Sequence, residues 1–526
     1  MKRNEIMSDI KVSIIPEPVK IILEKENFTF NEKTVIFTDL RLKKIAELLK
    51  KFLAQATGLN PEIEDLTQIE KKNNVVILGI SDNEKNLNHE GYNLKVSRDG
   101  INISALTPNG IFYGVQTLRQ LFPPKIEDFS QKNLELSIPC VKIEDFPRFP
   151  WRGFMLDEAR HFFGKDVVKK ILDLMAFLKL NIFHWHLTDD QGWRIEIKKY
   201  PLLTEIGSKR KGTYLTRRTK KLDGIPVSGF YSQEDLREII SYANERFISI
   251  IPEIDMPGHT TAALASYPEL SCTGGPFDVS PSFGIHKDVF CLGKEKTYDF
   301  AQDIFDEVMK IFPSEIIHTG GDEVPKRRWK KCIDCQKLIQ KEGFETEKDL
   351  QTYFTNRIAD YLLAHNHRLM GWNEILDENL TKNAICHYWT HNFDKVLKHI
   401  RRGRNVVMSE MSALYLNYPY NLLPLHKTYM YDPIPIELDQ KFYEHILGLE
   451  ACLWTEYIPN KKGLEWHTFP RLIAVAEIGW TPKKKRNFQS FLKRLDYFLK
   501  RLDFHEINYA PKDDFEKEDI KSKNNK

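Results

Sequence analysis

Leu180-Asn181-Ile182-Phe183-His184-Trp185-His186-Leu187 runs directly into Thr188-Asp189-Asp190-Gln191-Gly192-Trp193. An apolar and aromatic run that ends abruptly in carboxylates, an amide and a glycine reads as a strand delivering polar groups at its carboxyl end. The rhythm repeats. Candidate strands fall at 153–156, 181–187, 247–252, 316–319, 368–371, 384–387, 405–408 and 448–453, and helical spacing of apolar residues lies between several of them, at 166–178, 232–246, 298–311 and 349–364. Eight strands with helical crossovers predict an α/β fold, a (β/α)8 TIM barrel over residues 146–482. An open doubly wound sheet is the competing reading, but no glycine-rich phosphate loop follows any of these strands.

Outward from the barrel, residues 11–145 read as a small α+β domain. Strands are expected at 12–15, 34–37 and 74–78, and a hairpin at 92–96 and 101–104 turns about Asp99-Gly100. Helices are expected at 40–55 and 110–121, and no catalytic residue types gather there. On the other side, 483–510 is read as a helical extension and 511–526, almost without apolar residues, as a solvated tail. With 41% hydrophobic residues among 526, the chain has ample material for a core. Its 77 Lys plus Arg against 74 Asp plus Glu are too balanced for a nucleic-acid binder. No window approaches the ~20 apolar residues of a membrane span. No apolar run follows Met1-Lys2-Arg3-Asn4-Glu5 before Pro16, so a cytoplasmic location is expected. Seven cysteines, an odd number thinly spread, fit thiols better than a disulfide scaffold.

Reactive groups belong at the carboxyl ends of barrel strands. The first strand is followed by Asp157-Glu158-Ala159-Arg160-His161, the third by Glu253-Ile254-Asp255-Met256-Pro257-Gly258-His259, and the fourth by Gly320-Gly321-Asp322-Glu323. The fifth gives Trp372-Asn373-Glu374; the last three lead to Trp389, to Tyr415 and Asn417, and to Trp454 and Glu456. Taken singly, each is an ordinary core or surface residue. Recurrence at nearly every strand end is hard to explain as packing. Repulsion between Asp322 and Glu323 disfavours double ionisation and raises a pKa, as a general acid requires, while Gly320-Gly321 allows close approach of a ligand. Trp372, Trp389 and Trp454 are the expected walls of a pocket for a sugar ring or an acetamido methyl.

A metal site is the alternative. His184 and His186 share a strand face and, with His259 and Asp190, suit an amidohydrolase barrel. Against it, the middle strand ends carry Trp and Glu in place of further His or a bridging Lys. Cys332-Ile333-Asp334-Cys335 is a CxxC without a partner pair; zinc takes about four ligands, so this motif is read as a local feature of its loop.

Taken together, these segments resemble the β-N-acetylhexosaminidases of glycoside hydrolase family 20. The resemblance is carried by Arg152–Asp157 with Ala159-Arg160-His161, by His184-Trp185-His186-Leu187-Thr188-Asp189-Asp190-Gln191-Gly192-Trp193-Arg194 and by Pro252–His259. His318-Thr319-Gly320-Gly321-Asp322-Glu323, Gly371-Trp372-Asn373-Glu374 and Leu449–Glu456 complete it, and the leading α+β domain looks like the family's usual companion. The resemblance implies an exo-acting enzyme that removes terminal β-linked GlcNAc or GalNAc with retention. In that scheme the substrate's 2-acetamido oxygen, and no protein group, attacks C1. Glu323 is then the implied acid and base, Asp322 the partner of the acetamido N–H, and Tyr415 the donor to its carbonyl. Asp189 and His259 are implied to orient Glu323, Arg160 and Glu456 to hold ring hydroxyls, and the three tryptophans to line the pocket. The implied partner is a small oligosaccharide or glycoconjugate; no metal and no other cofactor is needed, and neither nucleic acid nor membrane is expected. One departure stands out: the family often has Asp where this chain has Asn417. A sugar-binding barrel that has lost its chemistry is the third reading, and intact Asp322, Glu323 and Tyr415 weigh against it.

Overall fold

The computed structural model describes residues 12–69, 73–83, 86–130, 136–215 and 221–515. Eight parallel strands close a barrel: Trp151–Asp157, Ile182–His186, Ser249–Glu253, Ile316–His318, Arg368–Trp372, Ile385–Tyr388, Val406–Met408 and Ile446–Leu453. All eight coincide with sequence expectations, their ends moved by a residue or two. Phe247, for example, adopts φ +56° in the turn leaving the preceding helix, so its strand begins at Ser249.

The barrel interior is layered. At its amino-terminal end Trp151, Ile182, Ile251, Met370, Ile385 and Val407 form an apolar plug. Two residues further along the same strands come His184, Glu253, Trp372, His387 and Ser409, joined by His318 and Glu450, all nearly or fully buried. Intervening side chains such as Phe154, Leu156, Phe183 and Trp185 point outward into the main core under the helices.

The leading domain is one seven-stranded mixed sheet, ordered Lys20–Thr29, Ser137–Asp145, Tyr92–Ser97, Gly100–Ala105, Val75–Ile80, Val35–Thr38, Glu62–Asp65, with helices Lys43–Thr57 and Pro108–Leu121 packed on it. The strand expected at 12–15 does not form. Ile14 and Ile15 are buried, but the side-chain amide of Gln120 accepts from Ile15 N–H (2.8 Å) and donates to its carbonyl (2.7 Å), tying this segment to a helix rather than to the sheet. The first strand is instead Lys20–Thr29, a largely exposed edge whose charges mask any alternation.

This domain is fastened to the barrel by buried charge. Arg152 of the first barrel strand reaches both Glu90 oxygens at 2.8 Å, and Lys179 lies 3.0 Å from Asp145, both of these side chains being 0% exposed. Trp480 Nε1 donates to the other oxygen of Asp145 at 2.9 Å. After the barrel, helix Phe488–Phe504 stacks Phe498 on Phe177 and sets Arg501 against Glu127. The expectation of a solvated tail needs correcting at its start: Lys512–Phe515 is a short helix with Phe515 buried and Asp514 accepting from Trp466. Residue 11 and residues 516–526 lie outside the described residues.

Candidate active site

The carboxyl ends of the strands converge on one mouth, and a few fully buried groups fix its first wall. Asp157 Oδ1 accepts from the N–H groups of Ala159 and Arg160, while Oδ2 accepts from Thr455 N–H (3.0 Å), joining the first strand end to the last. Arg194 donates to the carbonyls of Glu158 and Ala159 and so holds the same turn from below. Arg160 is therefore presented in one pose, 3.2 Å from Asp157, 2.8 Å from Asp189 and 2.9 Å from the Gln191 oxygen, with its guanidinium over Trp454.

Thr188–Asp189 and Gly192–Trp193 pair as a tiny hairpin around Asp190-Gln191. Burial alone would raise Asp189; Arg160 and His259 more than offset it and hold the carboxyl well below its usual range. His259, at φ +52°, places Nδ1 3.1 Å from Asp190 and 3.3 Å from Asp189. Its Nε2 faces Asp322 at 3.6 Å and Glu323 at 3.7 Å. Burial works against protonation of His259, but Asp189 and Asp322 outweigh it and raise the imidazole well above its ordinary value.

Gly320, Gly321 and Glu323 all lie at positive φ (+66°, +96° and +47°). The glycines admit a neighbour rather than a ligand, which corrects the sequence reading. A Cβ on Gly320 would collide with the Asp255 carboxylate and one on Gly321 would come within 2.6 Å of Ile375 Cγ2. Asp255 thereby accepts from Gly321 N–H (3.1 Å) behind the acidic pair. Asp322 is pushed up to about 6, first by burial, with Glu253 and Glu323 adding repulsion and His259 opposing. Glu374 rises to about 7, through burial and the nearness of Asp322, while accepting from Trp389 Nε1 at 3.0 Å.

The opposite wall is aromatic. Tyr415 follows the short helix Met411–Leu414 and bridges to Cys452 of the last strand. Trp389 stacks parallel to it at 5.9 Å and Trp454 tilts against it at 6.0 Å. Trp372 lies deeper, flat on His387 and donating Nε1 to Glu253 (2.8 Å), with Trp454 5.7 Å away. Asn417 turns a buried Oδ1 with no protein partner, and Glu456, raised by burial against the pull of Arg160, closes the rim.

All eleven expected site residues thus surround one mouth. Three that the sequence reading quoted at strand ends without a role in glycoside chemistry are Asp190, Asp255 and Glu253. The Asp189-Asp190 doublet held a usable signal, since adjacent carboxylates in a tight turn point to different partners; here Asp190 is closer to His259 than Asp189 is. Glu253 gathers His184, His186, His318 and Trp372 within 3.1 Å.

His184, His186 and His259 do not come together as one ligand set; of the expected four, His259 and Asp190 meet, with Asp189 beside them. His184 turns to Glu253 and Glu450, and His186 bonds Glu253 with one nitrogen and Asp189 with the other. His184 is raised to about 9 and His186 well above its usual value, both against the opposing effect of burial and by those carboxylates. The half-site reading of Cys332 and Cys335 is also corrected. Cys272 and Cys291, from the adjoining loop, meet them, because loops after neighbouring barrel strands lie side by side. All seven cysteines are free thiols.

A closed parallel barrel with an acidic pair and an aromatic wall at its carboxyl mouth defines the class, a glycoside hydrolase barrel. The profile described as glycosyl hydrolase family 20, catalytic domain, matches residues 149–483, and that family's domain 2 matches residues 11–146. The chain belongs to glycosyl hydrolase family 20. A β-hexosaminidase of Porphyromonas gingivalis is 41% identical over 514 residues, covering 95% of this chain and 64% of that protein, so the chain spans less than two thirds of this relative. A β-N-acetylhexosaminidase of Cellulomonas fimi is 30% identical over 92% of this chain and 93% of its own. Among solved structures, the exo-β-N-acetylglucosaminidase of Vibrio harveyi in complex with N-acetylglucosamine superposes with TM-score 0.82 at 32% identity (96% and 80% covered). The β-N-acetylhexosaminidase of Streptomyces coelicolor does so with TM-score 0.82 at 29% (95% and 98%).

Proposed function

We infer that this chain is an exo-acting β-N-acetylhexosaminidase that releases terminal β-linked GlcNAc or GalNAc with retention, using the substrate's acetamido group as nucleophile. One observation carries the reading: Asp322 and Glu323 face the same His259 nitrogen, at 3.6 and 3.7 Å. Neighbouring carboxylates served by one imidazole suit a proton donor and a partner for the acetamido N–H better than they suit an acid and a nucleophile on opposite sides of the scissile bond. Asp255 and Glu374 nearby are engaged by Gly321 N–H and by Trp389.

In this reading Glu323, whose side chain is 33% exposed, protonates the leaving oxygen and then takes a proton from water. Asp322 accepts from the acetamido N–H and balances the positive oxazolinium ring. Tyr415 donates to the attacking carbonyl oxygen, and the Trp389–Tyr415–Trp454 box holds the acetamido methyl against water. His259, carrying its charge through Asp189 and Asp190, orients the acidic pair. Arg160, Asn417 and Glu456 receive the ring hydroxyls. The Vibrio harveyi protein solved with N-acetylglucosamine supports the same substrate class here. The test is hydrolysis of β-GlcNAc and β-GalNAc nitrophenyl glycosides, with a GlcNAc-thiazoline as inhibitor. Turnover with tight competitive inhibition is expected. Turnover indifferent to the thiazoline rejects substrate assistance, and no turnover of either glycoside rejects the activity.

A further inference from the structure

Behind the acidic loop, outside the sugar pocket, four cysteines meet. The Sγ atoms of Cys272, Cys291, Cys332 and Cys335 all lie within 4.8 Å of one another. Cys291 is 3.5 Å from Cys332 and 3.6 Å from Cys335, and Cys335 is 4.0 Å from Cys272. Four thiolates about 2.3 Å from one tetrahedral zinc ion have sulfurs about 3.8 Å apart. The observed spacings bracket that figure. A pair of disulfides would sort the sulfurs into two exclusive partnerships about 2 Å across. Here Cys291 and Cys335 each have two near neighbours, as corners of a tetrahedron do.

The surroundings suit a buried metal thiolate. Cys291, Cys332 and Cys335 are buried and Cys272 partly so. Cys332 caps the ten-residue helix Ile333–Glu342 and Cys335 sits in its first turn, where the helix dipole favours a thiolate. Gly293 lies directly on this turn; a Cβ there would run into the backbone of Asp334 and Cys335, and its N–H is directed to Cys291 sulfur. Zinc with four thiolates carries two net negative charges. Lys287, Arg327, Arg328 and Lys331 line the hollow over Cys272 and Cys332 and supply the opposite sign. Softer ligands in a tetrahedral set select zinc or iron, and the close sulfur spacing leaves room for one ion only.

We propose that Cys272, Cys291, Cys332 and Cys335 bind one structural zinc ion. It clamps the loop after the third barrel strand, which carries His259, to the loop after the fourth, which carries Asp322 and Glu323. Trp329 already links the same two loops by donating to the Phe290 carbonyl at 2.8 Å. The ion takes no part in glycoside chemistry, and the site stands whether or not the proposed activity does.

The test uses the full chain, purified without a metal column or chelator under reducing conditions. Elemental analysis is expected to give one zinc per chain, released as a mercurial titrates four thiols. Zinc removal should lower Tm, and zinc but not magnesium should restore it. Cobalt substituted for zinc should show strong thiolate-to-cobalt charge-transfer absorption. Cys272→Ser and Cys335→Ser should lower metal retention at least tenfold, while Cys140→Ser and Cys386→Ser keep it. If the cluster variants fail to fold, the wild-type metal content and cobalt spectrum decide alone. Iron in place of zinc, two disulfides found by alkylation and mass spectrometry, or four free thiols in a protein that takes up no zinc would each overturn the proposal.

Discussion

Within the barrel, two adjacent layers rest on the same strands, two residues apart, with opposite chemistry. Ile182, Ile251, Met370, Ile385 and Val407 fill one; His184, Glu253, Trp372, His387 and Ser409 fill the next. The apolar layer needs only volume and shape, and tolerates any neighbour of the right size. The polar layer holds only if its partners are all present, because an unpaired group in such a place costs several kcal/mol. It also transmits position: Glu253 bonds His186, His186 bonds Asp189, and Asp189 meets both Arg160 and His259. The first layer supports the pocket as a floor does. The second sets the coordinates of the reacting groups.

The largest effect should come from the group that this chain of contacts serves. Glu323→Gln is expected to slow hydrolysis of a natural disaccharide by at least ~10²-fold while affecting a nitrophenyl glycoside, with its better leaving group, much less. Its Tm should match the wild type. Equal losses on both substrates would take the proton-donor role from Glu323.

The two layers themselves are separated by a matched pair. Ile251→Ala should cost about 2–5 kcal/mol of stability and leave kcat/KM of the folded enzyme unchanged. Glu253→Gln should cost a similar ~3–5 kcal/mol, by leaving charged histidines without their partner, and should also lower kcat. Denaturant titration and kinetics at a temperature where both variants are folded read this out. If Glu253→Gln keeps full kcat, the polar layer is only another kind of filling.

A third, smaller effect is the acid limb of the pH profile. The proposed mechanism uses Asp322 as an anion, and burial with repulsion from Glu253 and Glu323 pushes this group up to about 6. The useful form is therefore lost as pH falls through about 6, and log kcat/KM should drop with unit slope below it. Asp322→Asn should be slower and lack this limb. A limb that persists in the variant belongs to another group.

The smallest effect concerns the rim. Asn417→Asp would add a negative charge beside the sugar, at a half-buried position with a free Oδ1. Discrimination against a 6-sulfo-GlcNAc aryl glycoside relative to GlcNAc should rise about five- to tenfold, as ~1 kcal/mol of screened repulsion dictates. An unchanged ratio would show that Asn417 serves only as a hydrogen-bonding group.

The eight barrel strands were readable because both of their faces are covered, outward residues such as Phe183 and Trp185 by helices and inward ones by one another. Which face looked inward was not readable, since Ile182 and His184 share it. The edge strand Lys20–Thr29 escaped notice for the opposite reason: solvent on nearly every side removes the alternation that marks a strand. Within the site, residues at strand ends were found through position, and their roles through the family resemblance. Asp255 and Glu253 were quoted at the third strand end but given no role, because their roles depend on which side chains lie behind them. The cysteine cluster was hidden by sequence distance, Cys291 and Cys332 being 41 positions apart.

The barrel is also not a part that can be lifted out. Arg152 and Lys179 belong to it, yet their counter-charges, Glu90 and Asp145, belong to the domain in front. A chain begun at residue 146 would lose both counter-charges and the acceptor of the Trp480 indole, and would open the face now closed around them to water. Recombination that trades one leading domain for another is thus admissible only where the newcomer carries acids at the same two places. For this fold, inheritance of the pair as a single cassette is a matter of electrostatics before it is one of history.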